Sequence, residues 1–280
     1  MRRTVLLTLV LASCAPPLDP APDGGDVCWE PSPQSVFVAG LTSPTPGCAL
    51  VGQPVGVLDL KTVGFAPAGG VLVVPPTDAG TALPLVLVFH GAGGTGAGIR
   101  DGLALEPAAD GGAIFVYPNA RRGTWDIGGR TPDGPMVSTL ISGIASQYCV
   151  DPARIYAAGF SAGAVFTLFL GCNVPETFRA VGAVAGTEDR FPASCCHGHV
   201  SAIIIHGTAD TTIPFGQAQD SIFRLRGRDQ CGEATTPDGS HCEAYACATG
   251  EALDFCTWDG DHDVPQWGGS EVWRFFSSAP

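Results

Sequence analysis

Gly159-Phe160-Ser161-Ala162-Gly163 follows a short apolar run, Arg154 to Ala158, and opens a second apolar segment with helical character. A strand that turns sharply into a helix at G-x-S-x-G lifts the serine onto a strained elbow with its hydroxyl exposed. Two glycines suit such an elbow, because the backbone passes close to its neighbours in dihedrals that a Cβ obstructs. Ser161 is therefore a candidate nucleophile, and the N–H of Ala162, the next residue, a candidate oxyanion donor. Taken alone, the pentapeptide also fits a glycine-flanked turn that packs a helix on a sheet. Its surroundings decide between the two.

Upstream, Leu85-Val86-Leu87-Val88-Phe89 is a continuous apolar run of the kind a central parallel strand shows. It ends in His90-Gly91-Ala92-Gly93-Gly94, a loop whose Gly91 and Ala92 N–H groups can face a developing oxyanion. Downstream, Ala202-Ile203-Ile204-Ile205 leads into His206-Gly207-Thr208-Ala209-Asp210. Asp210 then stands at the carboxyl end of a strand, on the edge where open α/β sheets bind ligands. After the strand-like run Leu253 to Trp258 comes Asp259-Gly260-Asp261-His262-Asp263. The order Ser161, Asp210, His262 is the chain order of α/β-hydrolases. Among the 6 histidines, His90 and His206 end strands before glycine and read as loop-shaping, and His197 and His199 precede the acid. His241 lies beside the hydrophilic insert Thr235 to Ser240, so His262 is preferred to it as the base. A histidine base must be neutral, which predicts an activity that falls below roughly pH 6 to 7.

Strands are expected over Val71–Val74, Leu85–Phe89, Ala113–Tyr117, Ile155–Ala158, Ala180–Val184, Ala202–Ile205 and Leu253–Trp258. Helices are expected over Val137–Gln147, Ala162–Leu170, Gln217–Leu225 and Glu271–Phe276. This alternation predicts an α/β fold with a mostly parallel central sheet covered on both faces. Trp125, after the Ala113–Tyr117 run, either reaches the site rim as a stacking surface for substrate or packs a long loop.

The segment Tyr148 to Gly163, YCVDPARIYAAGFSAG, resembles the nucleophile region of the secreted polyhydroxybutyrate depolymerase and feruloyl esterase group, the carbohydrate esterase family 1 type of α/β-hydrolase. His206 to Phe215, HGTADTTIPF, resembles that group's acid loop, and Pro84 to Gly94 and Phe115 to Pro118 resemble its oxyanion strand and the strand after it. The resemblance spans about residues 70 to 277. It implies an α/β-hydrolase that cleaves exported or extracellular esters without a cofactor, with Ser161, Asp210 and His262 at the triad positions. It also implies a disulfide between Cys231 and Cys247, where the family often pairs cysteines. His90, Trp125 and Trp267 are the candidate substrate-binding residues. The chain departs from the family's Gly-Gly-Gly-His-x-Trp-Pro pattern, since Val264 stands where the aromatic residue belongs and Trp267 follows three positions later. The stretch from Cys28 to about residue 69 lacks the family's usual opening strand and reads as a divergent extension of a catalytic domain covering 28–280.

At 280 residues with 45% hydrophobic content, the chain can bury a sizeable core, and its net charge of −13 argues against nucleic-acid binding. Arg2-Arg3, the apolar Val5 to Leu11 and the small residues before Cys14 have the order of a signal peptide over residues 1–13. Leu11-Ala12-Ser13-Cys14 resembles a bacterial lipobox, which makes Cys14 a lipidation site and residues 14–27 a tether. A plain secretory signal cut nearby is the alternative. The apolar run is too short to span a bilayer, so membrane contact is expected only through the anchor at Cys14. Setting Cys14 apart leaves 11 − 1 = 10 cysteines, an even set that suits disulfides in an exported chain. Cys28 with Cys48 is the other expected pair. The run Cys195-Cys196-His197-Gly198-His199 lacks zinc-site spacing. Asp259, Asp261 and Asp263 imitate a calcium loop that lacks its glycine and final glutamate. No metal is therefore expected, and the partner is an ester substrate met by a monomer. A peptidase of the same fold and a silent glycan- or polymer-binding lipoprotein are the competing readings.

Overall fold

The computed structural model describes residue 41 and residues 43–66, 68–127, 133–191 and 196–280. The proposed signal peptide, Cys14, the tether and Cys28 lie outside them. A 10-stranded sheet runs in the order β1-β2-β4-β3-β5-β6-β7-β10-β9-β8. Its centre is β3 (Leu83–Phe89), β4 (Ile114–Pro118), β5 (Val150–Phe160), β6 (Ala180–Val184), β7 (Ser201–Gly207) and β10 (Ala252–Trp258). These strands pair parallel throughout. β1 (Gly56–Asp59) and β2 (Gly70–Val74) close one side antiparallel, and β8 (Cys231–Asp238) and β9 (Cys242–Cys247) close the other.

The pleat of β3 explains the layering. Leu85, Leu87 and Phe89 face α3 (Asp133–Gln147), α4 (Ala162–Asn173) and α5 (Phe215–Arg228), while Val86 and Val88 face α1 (Gly96–Leu103), α2 (Leu105–Ala109) and α6 (Gly268–Ser278). Both faces are buried, so β3 reads as an unbroken apolar run rather than an alternating one. α4 is buried from Gly163 to Asn173, which is why its sequence is apolar all round.

The strands expected from periodicity are present, and β5 is longer than expected at both ends. β1, which falls in the stretch read as a divergent extension, pairs with β2 through Gly56↔Val74 to Asp59↔Val71. The insert Thr235 to Ser240 belongs to a hairpin, β8 and β9, whose exposed polar residues carry no apolar period. α1 is hidden in sequence by Gly96, Gly98 and Gly102. It starts because Thr95 Oγ1 accepts the Gly98 N–H at 3.1 Å, and it buries Ile99 and Leu103.

Disulfides join Cys48–Cys149, Cys172–Cys196, Cys231–Cys247 and Cys242–Cys256. The Cys231–Cys247 pair stands as the resemblance implied. The expected Cys28–Cys48 pair is wrong, because Cys48, in the 3₁₀ turn Pro46–Ala49, is clamped to the start of β5, with Thr45 Oγ1 bonding both the N–H and the carbonyl of Val150. Cys196, oxidised to Cys172, is no thiolate for a metal. Among the described residues no helix is long and apolar enough to cross a membrane.

Where the hairpin meets α6, Asp254 is buried on β10 beside Asp238, and Arg274 contacts both carboxylates. Burial, then the neighbouring Asp238, pushes the Asp254 carboxyl up to about 7. A carboxyl raised in the folded state contributes stability at acid pH that is lost as pH rises through its folded pKa. Thermal melts should therefore show Tm falling between pH 5 and pH 8, with a shallower fall in Asp254→Asn. Equal slopes in the two proteins would contradict this assignment.

Candidate active site

Ser161 sits between β5 and α4 with φ 53° and ψ −121°, a conformation an L-residue adopts at a cost of order 1–3 kcal/mol. Its N–H donates to the Val184 carbonyl at 2.9 Å, fixing the elbow to β6. The flanking glycines are dictated by contact. A Cβ on Gly159 would lie 2.4 Å from the Gly163 backbone, and one on Gly163 would lie 2.1 Å from the Phe89 carbonyl oxygen.

The Ser161 hydroxyl donates to His262 Nε2 at 2.8 Å, and His262 Nδ1–H donates to Asp210 Oδ2 at 2.8 Å. The Asp210 side chain is fully buried, while the imidazole is 15% exposed. Asp210 Oδ1 accepts the N–H groups of Thr212 and Ile213 at 2.9 and 2.8 Å, so the carboxylate is satisfied as a charged group. Ser161, Asp210 and His262 are thus brought together at one sheet edge. Two of the other histidines are elsewhere: His199 bonds Asp229, and His241 stacks on Trp267 with ring centroids 4.0 Å apart.

The loop after β3 lies against the serine, where a Cβ on Gly91 would come within 3.3 Å of Ser161 Cβ. Gly93 N–H donates to Gly123 O at 2.7 Å and Gly94 N–H to Gly91 O at 3.0 Å. The N–H groups of Gly91, Ala92 and Ala162 take no acceptor among the described residues. Ala162 is the first residue of α4, where helical N–H groups lack intrahelical partners and the helix dipole favours an anion. His90 is buried under this loop, with Nδ1–H donating to Gly91 O at 2.7 Å and Nε2 accepting from Ala120 N–H at 3.0 Å. Burial lowers its pKa, and the two bonds specify a neutral ring that shapes the loop.

Of the two roles open to it, Trp125 takes the packing one, and Trp267 is half-buried. Trp125 is 5% exposed, stacks on Phe166 and donates its indole N–H to the His90 carbonyl at 2.7 Å. Trp267 has one ring face covered by His241. Instead Phe160, quoted in the elbow without a role, is half-buried with its ring 5.1 Å from that of His262. Asp261 does more than flank the histidine. Its Oδ1 accepts the N–H of Thr211 at 2.8 Å, the Thr211 hydroxyl at 3.0 Å and the N–H of His262 at 2.8 Å, tying the acid loop to the histidine loop. These donors, the Thr211 N–H first, hold its carboxyl below the usual range. Sequence offered only a carboxylate next to a histidine.

Because the approach at Gly163 is backbone against backbone, Gly163→Ala forces α4 away from β3. Overpacking of this kind costs about 1–3 kcal/mol or more. Thermal melts should show a Tm several degrees below wild type, and an unchanged Tm would mean that the elbow has slack.

Residues 69–211, just over half of the chain, match the family model described as Esterase PHB depolymerase, a span that holds Ser161 and Asp210 and stops before His262. A probable feruloyl esterase C of Aspergillus clavatus is 28% identical over 222 residues, 72% of this chain and 80% of that protein. A bifunctional acetylxylan esterase/xylanase of Neocallimastix patriciarum is 30% identical over 162 residues, 57% of this chain and 24% of that longer protein. Among solved structures, the acetyl xylan esterase from Aspergillus awamori matches with a TM-score of 0.62 at 19% identity, over 79% of this chain and 99% of its own, a likeness of fold. With its mostly parallel sheet and the serine on its elbow, the chain belongs to the esterase PHB depolymerase family, carboxylic ester hydrolases of the α/β-hydrolase fold.

Proposed function

We propose that this protein is an exported serine esterase acting on feruloyl- or acetyl-polysaccharide esters or polyhydroxyalkanoates through a Ser161–His262–Asp210 triad. The observation that carries this reading is the unbroken chain of contacts, 2.8 Å from Ser161 Oγ to His262 Nε2 and 2.8 Å from Nδ1 to Asp210 Oδ2. Ser161 Oγ attacks the ester carbonyl as His262 Nε2 takes its proton, and Asp210 holds Nδ1–H so that the free lone pair faces the hydroxyl. The carbonyl oxygen, now an oxyanion, accepts from the N–H of Ala162 and of Gly91 or Ala92. The C–O bond to the alcohol breaks, and His262 returns the proton to that oxygen. Water, deprotonated by the same imidazole, then releases the acid from Ser161. Four disulfides within the described residues support folding in an oxidising compartment, and Cys14 is the proposed lipid attachment. The feruloyl and acetylxylan names of the relatives support plant polysaccharide esters, with the family's polyester as the other class.

A fluorophosphonate probe should label the wild type covalently and leave Ser161→Ala unlabelled, with hydrolysis of p-nitrophenyl acetate down by about four orders of magnitude or more. Absence of labelling would favour a silent binding protein. Methyl ferulate, acetylated xylan, hydroxybutyrate oligomers and a peptide substrate, assayed side by side, rank the substrate classes.

Asp261→Ala should reduce kcat about tenfold by freeing the two loops, while Asp261→Asn, whose carbonyl still accepts, should retain most of it. Equal kcat in both variants and wild type would remove Asp261 from the machinery.

A further inference from the structure

A second imidazole lies against the proposed acid and takes no part in the chemistry above. His206, near the end of β7, is fully buried. Its Nε2 is 2.9 Å from the Ile213 carbonyl oxygen and 3.3 Å from Asp210 Oδ2. Both neighbours are acceptors, so Nε2 carries the proton. The N–H of Ile213 donates in turn to Asp210 Oδ1 at 2.8 Å. The ring N–H thus donates to the carbonyl of Ile213, the residue whose own N–H feeds Oδ1, while Nε2 lies 3.3 Å from Oδ2 without being bonded to it.

The other ring nitrogen specifies the charge state. His206 Nδ1 is buried and has no partner among the described residues. A proton there would leave an unpaired N–H out of contact with water, which is unfavourable. Burial, the largest influence on the ring, likewise lowers its pKa, against the opposing pull of the Ile213 carbonyl and Asp210. The titratable groups that face it are Asp210, from the loop after β7, and His262, from the loop after β10, while α5 presents the Phe215 ring at 6.3 Å. A cation at this place would draw the carboxylate's charge away from His262 at the moment His262 itself becomes positive.

We propose that His206 is a positioning residue for Asp210, a neutral imidazole that anchors the 210–213 turn through the Ile213 carbonyl and sets its Nε2–H dipole beside Oδ2, keeping that oxygen in line with His262 Nδ1. This rests on the triad reading of Ser161, Asp210 and His262. Without the Nε2–H donor, the turn at residues 210–213 loosens and Oδ2 presents more of its charge to His262, which favours the protonated form of the base.

The test compares His206→Phe, which keeps a ring and removes the donor, with His206→Gln, whose amide nitrogen reaches the place of Nε2. Hydrolysis of p-nitrophenyl acetate is followed from pH 5 to pH 9 on the full chain. His206→Phe should lower kcat about 10- to 100-fold with KM nearly unchanged. It should also move the acid limb of kcat/KM upward by about half a pH unit. His206→Gln should restore most of kcat and the wild-type limb. Should the Phe variant fail to fold, His206→Asn takes its place, because its amide stops at the position of Nδ1. Wild-type kcat and limb in the donor-less variant, or equal losses in both variants with the limb unmoved, would overturn the assignment of His206. Activity retained by Ser161→Ala in the same assay would instead bring down the triad reading, and this proposal with it.

Discussion

Backbone lies directly on backbone at two places on the site edge, and the geometry of the three polar side chains depends on both. At Gly163 the first turn of α4 rests on the Phe89 carbonyl, and at Gly207 a Cβ would lie 2.3 Å from the Gly260 carbonyl oxygen. The first contact fixes the serine elbow relative to the Gly-rich loop after β3. The second fixes the acid loop relative to the histidine loop, reinforced by Thr208 N–H on Trp258 O and Ala209 N–H on Gly260 O, at 2.9 and 3.0 Å. Side chains of ordinary flexibility would leave these distances loose, and the two 2.8 Å contacts that link residues 161, 262 and 210 have little tolerance for that.

Electrostatics add a second constraint. A fully buried carboxylate is costly unless its oxygens are occupied, and Asp210 meets this with two backbone N–H groups on one oxygen and His262 on the other. Burial lowers the pKa of the two neighbouring strand-end histidines, His90 under the loop after β3 and His206 against Asp210. His90 and His262 donate from Nδ1 and His206 from Nε2, so the tautomer of each ring follows from the acceptor that packing brings to it.

The parts of this arrangement legible in sequence are those set by strong local rules. Apolar runs marked the central strands because both faces of the sheet are covered, and the turn at Ser161 followed from two glycines at fixed offsets. What escaped the sequence was decided by tertiary contact. The β8–β9 hairpin is polar because it lies at the exposed edge, so Gly232 to Asp238 carries no core signature. The partner of Cys48 lies 101 residues away, a choice made by the docking of the Pro46–Ala49 turn on β5 rather than by spacing. Trp125 follows a strand, as a rim residue would, yet its indole is drawn under the loop by the His90 carbonyl and the faces of Phe89 and Phe166. The contacts of Asp261 and His206 are not legible in sequence, since their partners Thr211 and Asp210 belong to a loop whose path no local pattern specifies.

The edge hairpin bears on the site through β10. A two-stranded polar ribbon is marginal by itself, but Cys231–Cys247 closes it internally and Cys242–Cys256 pins it to β10 in register. Cross-links of this span each contribute about 2–4 kcal/mol. Cys256 lies two residues before Trp258, whose carbonyl receives the Thr208 N–H, and β10 then runs directly into the loop that carries His262. The strand that delivers the imidazole is therefore held on one side by β7, which leads to Asp210, and on the other by a covalently fastened edge. Cysteines far from the serine in sequence act on the same short stretch of backbone as the close approach at Gly207, and that stretch fixes the distance from Nδ1 to the carboxylate.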